Sequence, residues 1–265
     1  MVNSSITIYT LPCLSDNYAY VVHNRATGTA AVVDVPDAGP LVDKISQLNL
    51  PVTDIFLTHH HWDHIDGLPD LQAALTGSLG QSRARVIGAK ADTHRLPALD
   101  QAVGPGDRVT LCGIEGDIYD VSGHTLGHLA LHLPSAKAVF SADSLMAMGC
   151  GRLFEGSAVQ MWHSLQQFRS LSPDTWVYSG HEYTATNMAF TQSLGEDNPA
   201  IAARAGQITK DRAAGQATVP SLLSIELQTN PFLRVDDPAL QAAVGMPGAT
   251  AEQVFTEIRS RRDKF

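Results

Sequence analysis

At 265 residues the chain is long enough for one large domain, or for a main domain with a smaller annex, around a sizeable core. Hydrophobic residues at 44% and charged residues at 17% describe a chain that folds in water, and a formal net charge of −9 argues against a nucleic-acid partner, which draws on a basic surface. No apolar run approaches the ~20 residues of a spanning helix, the N-terminus lacks signal-peptide character, and three scattered cysteines cannot build a disulfide scaffold, so a cytoplasmic protein with free thiols and no membrane partner is expected.

In chain order, Ile6 to Leu11, Tyr18 to Val22 and Ala30 to Val33 read as strands, being short apolar runs between turn residues. A helix is predicted from Leu41 to Leu48, a strand at Ile55 to Leu57 and a helix from His64 to Leu75. Strands follow at Val86 to Ile87, Ile118 to Val121, Leu129 to Leu133, Val139 to Phe140 and Trp176 to Tyr178, with a helix at Ser157 to Leu171 interleaved. The mixture predicts β/α layers without a regular βαβ repeat. After His181 the character changes: Tyr183 to Leu194, Asn198 to Ala213, Ser221 to Gln228 and Thr250 to Arg262 all read as helices, with no clear strand. A β-rich domain over 1–181 and a helical one over 182–265 are therefore expected.

Four histidines, His59, His60, His61 and His64, fall within six residues directly after the β-branched run Val52 to Thr58. Side chains two apart in an extended segment point the same way, so His59, His61 and Asp63 can face one point while His60 and Trp62 face away. His64 then opens a helix and can turn back toward that point. Imidazole suits zinc, iron and similar ions, and the added carboxylate places the site with hydrolytic rather than purely structural centres. His124, Asp143 and His181 stand at the ends of β-like runs and are the remaining ligand candidates. Trp62 reads as a packing residue and His60 as structural. His23, His94, His128, His132 and His163 lack a ligand-spaced partner and read as surface or hydrogen-bonded residues.

The spaced set Thr58-His59-His60-His61-Trp62-Asp63-His64, Gly123-His124-Thr125, Asp143 and Gly180-His181-Glu182 resembles the metallo-β-lactamase superfamily. Gly149-Cys150-Gly151-Arg152-Leu153-Phe154-Glu155-Gly156, Tyr178-Ser179-Gly180-His181-Glu182-Tyr183-Thr184, Leu227 to Arg234 and Arg259 to Phe265 further resemble the glyoxalase II (hydroxyacylglutathione hydrolase) family, over nearly the whole chain. The resemblance implies an αββα sandwich with the site at one edge, followed by a C-terminal α-helical domain. It implies two divalent metal ions per chain, zinc in the family with iron or manganese in some members. His59, His61 and His124 would hold one, Asp63, His64 and His181 the other, and Asp143 would bridge them. Asp63, His64 and Asp143 would carry the catalysis, and Arg152, Phe154, Tyr183, Arg259 and Arg262 would bind substrate.

The reaction implied is hydrolysis of an S-(2-hydroxyacyl)glutathione thioester, D-lactoyl above all, to glutathione and D-lactate, the second step of methylglyoxal detoxification, by a monomer. The rival on the same fold is a glutathione persulfide dioxygenase with one iron. Departures from the family pattern leave every ligand in place: Asp66 for Gly, Ser122 for Pro, Phe154 for Tyr and Arg262 for Lys. Asp66 is read as capping the N-terminus of a helix.

Overall fold

Alternating β-branched runs and capped helices set the order of elements. In the computed structural model, which describes residues 5–265, β1 (Ile6–Cys13) and β2 (Asn17–Asn24) form an antiparallel hairpin. β3 (Thr29–Val33) is antiparallel to β2 and parallel to β4 (Val52–Phe56), and β5 (Arg85–Ala89) and β6 (Gln101–Val103) extend the parallel part. The six strands make one sheet in the order β1 to β6. Parallel neighbours require a crossover. Helix α1 (Ala38–Leu48) supplies it between β3 and β4, and α2 (Trp62–Ile65) with α3 (Leu68–Thr76) between β4 and β5. Asp37 caps α1 by accepting from the Gly39 N–H, a contribution of ~1 kcal/mol for such a cap.

The helix expected from His64 to Leu75 is divided. A Cβ at Gly67 would lie 2.9 Å from both the Val35 carbonyl and the Ala38 nitrogen, and the Gly67 N–H donates to that carbonyl at 3.0 Å. Close passage against the β3–α1 loop interrupts the helix, which restarts at Leu68 with Pro69 in its first turn. Asp66 is thus an exposed residue at the C-terminus of α2, and Gly67 occupies the N-cap of α3 without a side-chain cap. The expected capping role of Asp66 is not met.

A second ladder follows in β7 (Arg108–Leu111), β8 (Ile114–Asp120), β9 (Leu129–Leu133) and β10 (Ala138–Ala142), each antiparallel to the next. The β7–β8 turn places Cys112 and Gly113 at φ 43 and 82, the positive values that match the twist of a tight hairpin.

The chain falls into two compact units, one running up to Asp120 and including Gly127–Phe140, the other formed by Val121–Leu126 and Ser141–Phe265. In the second, β11 (Leu145–Met146) and β12 (Gly149–Cys150) form a tight hairpin, followed by α4 (Ala158–Arg169), β13 (Trp176–Ser179), α5 (Thr184–Ser193) and α6 (Pro199–Ala213). Strand β14 (Ser221–Leu222) pairs antiparallel with β13 and leads into α7 (Leu223–Thr229), α8 (Pro238–Ala243) and α9 (Ala251–Lys264). The expected helix at Ser221 therefore starts two residues late, because Ser221 and Leu222 first pair with Val177 and Trp176.

Capping boxes, Ser157 with Gln160 and Thr250 with Gln253, start α4 and α9. Phe190, Phe232 and Phe255 are fully buried among these helices, with ring centroids 6.1 and 5.6 Å apart along the series, and each contributes ~1.5–3 kcal/mol of apolar burial. Among the described residues no helix is long and apolar enough to cross a membrane.

Candidate metal centre

The first donor set grows from the end of β4. The chain stays extended through His61, at φ −64 and ψ 141, and α2 begins at Trp62, so Asp63 and His64 sit in a helical turn rather than further along an extended segment. The turn still gathers them. His59 Nε2 and His61 Nδ1 lie 3.1 Å apart, the rings of His59 and His64 have centroids 4.2 Å apart, and ligand atoms of Asp63 and His64 approach within 4.8 Å. Trp62, expected to pack, is 64% exposed, as the first residue of a helix whose buried face carries His64 and Ile65.

Protonation in this set is fixed by a residue that the sequence reading passed over. Asp34, buried and just beyond β3, accepts from the Thr58 N–H and the Thr58 hydroxyl at 2.8 Å each and faces His64 Nδ1 at 2.8 Å. A carboxylate there places the proton on His64 Nδ1 and leaves Nε2 with its lone pair. The Thr58 hydroxyl spends its hydrogen on Asp34 and so accepts from His59 Nδ1 at 3.0 Å, which leaves His59 Nε2 as a donor atom for a cation. The signal that picked out Asp143, an acid at a strand end, is equally present in Val33-Asp34.

Other groups brace the same loop. Asn17 Nδ2 donates to the Asp63 carbonyl at 2.9 Å and to its carboxylate at 3.1 Å. His60 turns away from the donor set onto Asp92 at 3.2 Å, and Arg95 holds the other oxygen of Asp92 at 2.6 Å. That carboxyl fills the space a Cβ on Gly127 would need, 2.3 Å away. His128 takes the hydrogen-bonded role of the two expected for it: it is fully buried with Nδ1 3.2 Å from the Leu129 carbonyl and stacks on His59 with centroids 4.6 Å apart and planes at 11°.

The second donor set stands in the other unit. Asp143 follows Ala142, whose φ of 39 turns the chain out of β10, and its Oδ2 lies 3.4 Å from His124 Nε2 and 3.2 Å from His181 Nε2. All three are buried. His124 Nδ1 donates to the Arg152 carbonyl at 2.8 Å, which leaves Nε2, the atom facing Asp143, with the lone pair a cation would need. Gly151 admits this arrangement, since a Cβ there would lie 1.9 Å from the Asp143 carbonyl oxygen and 3.1 Å from His124 Nδ1.

Histidine nitrogens and carboxylate oxygens converging in buried or half-buried surroundings suit a divalent cation, whose charge offsets the cost of taking the carboxylates out of water. Both sets fit such ions.

Of the residues expected to bind substrate, Phe154 is 61% exposed and meets the His124 ring edge-on at 5.2 Å, while Tyr183 stacks on His181 at 4.7 Å with planes at 6°. Arg152 is exposed, with its guanidinium over Phe154 at 5.9 Å. Arg262 lies over Phe190 at 5.8 Å and donates to Asn187 Oδ1 at 3.3 Å. Arg259 is buried; it donates to the Cys150 carbonyl at 3.1 Å and pairs with Asp263 at 2.9 Å. Cys150 is buried as well, and burial raises its thiol pKa despite Arg259, so it is no ready nucleophile.

Two family models match the chain: hydroxyacylglutathione hydrolase C-terminus over residues 182–265, and the metallo-beta-lactamase superfamily over residues 15–80. A hydroxyacylglutathione hydrolase of Ruegeria pomeroyi is 52% identical over 98% of this chain and 99% of its own length. One from Jannaschia sp. is 54% identical over 97% and 98% respectively. Among solved structures, BLEG-1 B3 metallo-beta-lactamase matches with a TM-score of 0.64 at 18% identity, covering 86% of this chain and 99% of its own.

Proposed function

The chain belongs to the hydroxyacylglutathione hydrolase family, with the metallo-β-lactamase fold and a C-terminal helical region, and on that premise we propose that it cleaves S-D-lactoylglutathione to glutathione and D-lactate, the second step of methylglyoxal detoxification. It is a thioester hydrolase. The observation that most supports the proposed chemistry is the pair of donor sets, buried at His59, His64, His124, Asp143 and His181, in which Asp34 sets the tautomer of His64 and the Arg152 carbonyl that of His124.

In this reading residues 1–181 form the catalytic domain and residues 182–265 the substrate-binding one. His59, His61 and His124 would hold one zinc ion, Asp63, His64 and His181 would hold a second, and Asp143 would contribute to both, with Asp63, His64 and Asp143 as the catalytic residues. Bound divalent cations would supply Lewis acidity and lower the pKa of a water toward about 7. Asp34 and the Arg152 carbonyl keep the histidine tautomers competent throughout turnover. The glutathione leaving group departs as a thiolate of ordinary pKa about 8.5, so the chain needs no strong general acid. Arg152, Arg259 and Arg262 supply cationic partners for the carboxylates of glutathione, and Phe154 and Tyr183 complete the substrate-binding set. The enzyme acts as a cytoplasmic monomer.

The deciding experiment incubates the purified protein with S-D-lactoylglutathione while free thiol and dissolved oxygen are followed together and metal content is measured. Thiol release without oxygen uptake, abolished by chelation and accompanied by two zinc ions per chain, is the expected result. A single iron with oxygen uptake would replace the hydrolase by a persulfide dioxygenase.

A further inference from the structure

Helix α7 places a carboxylate and an amide where apolar side chains would cost less. Glu226 and Asn230, one turn apart, are both fully buried. Asn230 Nδ2 donates to the Met146 and Gly149 carbonyls at 3.0 Å each and lies 3.1 Å from Glu226 Oε2. Glu226 Oε2 also accepts the Met148 N–H at 2.9 Å, and its Oε1 pairs with Arg204 of α6. Met146 and Gly149 are the register partners that close the β11–β12 hairpin, and Met148 within its turn holds φ 56, a left-handed value that a non-glycine residue adopts at a cost. Asn187 of α5 adds a bond from its Nδ2 to the Ala147 carbonyl at 3.1 Å, and its side chain occupies the space a Cβ on Gly149 would need, 2.5 Å away. The backbone polar groups of this buried turn are thus met, atom by atom, by side chains of the helices.

A buried carboxylate paired with arginine is weak evidence for stability, because an apolar replacement of the same volume is often as stable or more so. Its directional bonds do something that apolar packing cannot. They fix where the hairpin backbone sits, and the base of that hairpin is Asp143 on one side and Gly151-Arg152 on the other. The Gly151 N–H donates to the Ser144 carbonyl at 3.2 Å, and the Asp143 carbonyl comes closer to Gly151 than any Cβ would allow.

From this geometry we infer that Glu226 and Asn230 are positioning residues, which lock the β11–β12 hairpin and through it set Asp143 and the Arg152 carbonyl that orients His124. The inference rests on the reading of Asp143 and His124 as metal ligands and extends it to two residues that touch neither metal nor substrate.

The test uses the full-length Asn230→Ala protein, with Leu75→Ala in α3 as a control of comparable thermal destabilisation. Amide exchange across residues 144–151 is measured in the metal-free proteins, zinc affinity by competition with a chelator, and kcat and KM on the glutathione thioester well below Tm. Asn230→Ala should lose exchange protection in the hairpin, bind zinc ~10 to 100-fold more weakly and lose kcat in similar proportion with KM changed less than about 3-fold, the effect expected for a residue that orients a ligand. Leu75→Ala should keep hairpin protection, zinc affinity and kcat. Unchanged zinc affinity and kcat in Asn230→Ala despite a deprotected hairpin, or equal losses in both variants, would overturn the assignment. If Asn230→Ala does not fold, the paired change Glu226→Met with Arg204→Leu, which replaces the buried ion pair by apolar side chains and removes the acceptor of the Met148 N–H, carries the same expectation and the same refutation. A wild-type protein without thioester activity would remove the proposed reaction, while hairpin exchange and zinc affinity would still decide the positioning role.

Discussion

Replacing Asp34 by Asn tests the donor set nearest α2 with almost no change of shape. In the native protein one oxygen of Asp34 accepts the Thr58 N–H, and the other accepts the Thr58 hydroxyl and faces His64 Nδ1, all at 2.8 Å. An Asn that keeps its oxygen on the Thr58 N–H turns its amino group toward His64 Nδ1. That nitrogen must then accept, the proton moves to Nε2, and the atom needed by a cation is lost. The reversed amide sets its amino group against the Thr58 N–H, two buried donors in contact, at a cost of about 1–3 kcal/mol. The first arrangement costs on the order of 10 to 100-fold in metal affinity, or about 1.4–2.7 kcal/mol. With the two penalties this close, neither arrangement escapes. Zinc affinity by chelator competition should fall by on the order of 10 to 100-fold, and ¹⁵N spectra of metal-free protein should show His64 gaining the Nε2–H form or Tm falling. Native zinc affinity together with an unchanged tautomer and Tm would show that Asp34 does not set His64.

The double change Arg259→Ala with Arg262→Ala should raise KM for the glutathione thioester by about 10-fold or more, since charge-assisted hydrogen bonds are worth about 1.5–3 kcal/mol each, and should affect thioesters of short neutral thiols far less. Equal losses on both substrates would remove the glutathione site from α9; Arg259→Ala alone should also lower Tm, because its guanidinium holds the Cys150 carbonyl. A separate expectation concerns pH. Burial holds His132 below the ordinary histidine value of 6.5, with Asp117 pulling the other way, so the unfolded chain takes up that proton first and stability falls as pH drops below about 6.5. His132→Gln should flatten the fall in Tm between pH 7 and pH 5, and an unaltered slope would show that this histidine does not contribute.

Ligand spacing was legible because an imidazole–carboxylate cluster has few purposes besides a cation, and the turn at Trp62 brings Asp63 and His64 back even though it breaks the extended path assumed for them. Asp34 was not legible, since acids at strand ends are common and only the folded chain sets this one against Thr58 and His64. The division between α2 and α3 depends on how closely Gly67 passes Val35, a contact that periodicity does not carry. Strand β14 is two residues long, too short for any alternation to show, and its pairing with β13 is decided by tertiary placement. Trp62 was misjudged because a large apolar side chain usually packs, whereas the helix that presents it turns its other face inward.

Asp92 and Gly127 illustrate what such packing means for descent. The carboxyl that steadies His60 stands where any side chain at position 127 would begin, 2.3 Å from the position of its first carbon. An alanine at 127 is barred while Asp92 is present, and a smaller residue at 92 leaves His60 and Arg95 without their shared anion. Neither position is free to change by itself, so the glycine at 127, which carries no signal of its own in the sequence, is held in place by an epistatic constraint from a residue 35 positions away in the numbering.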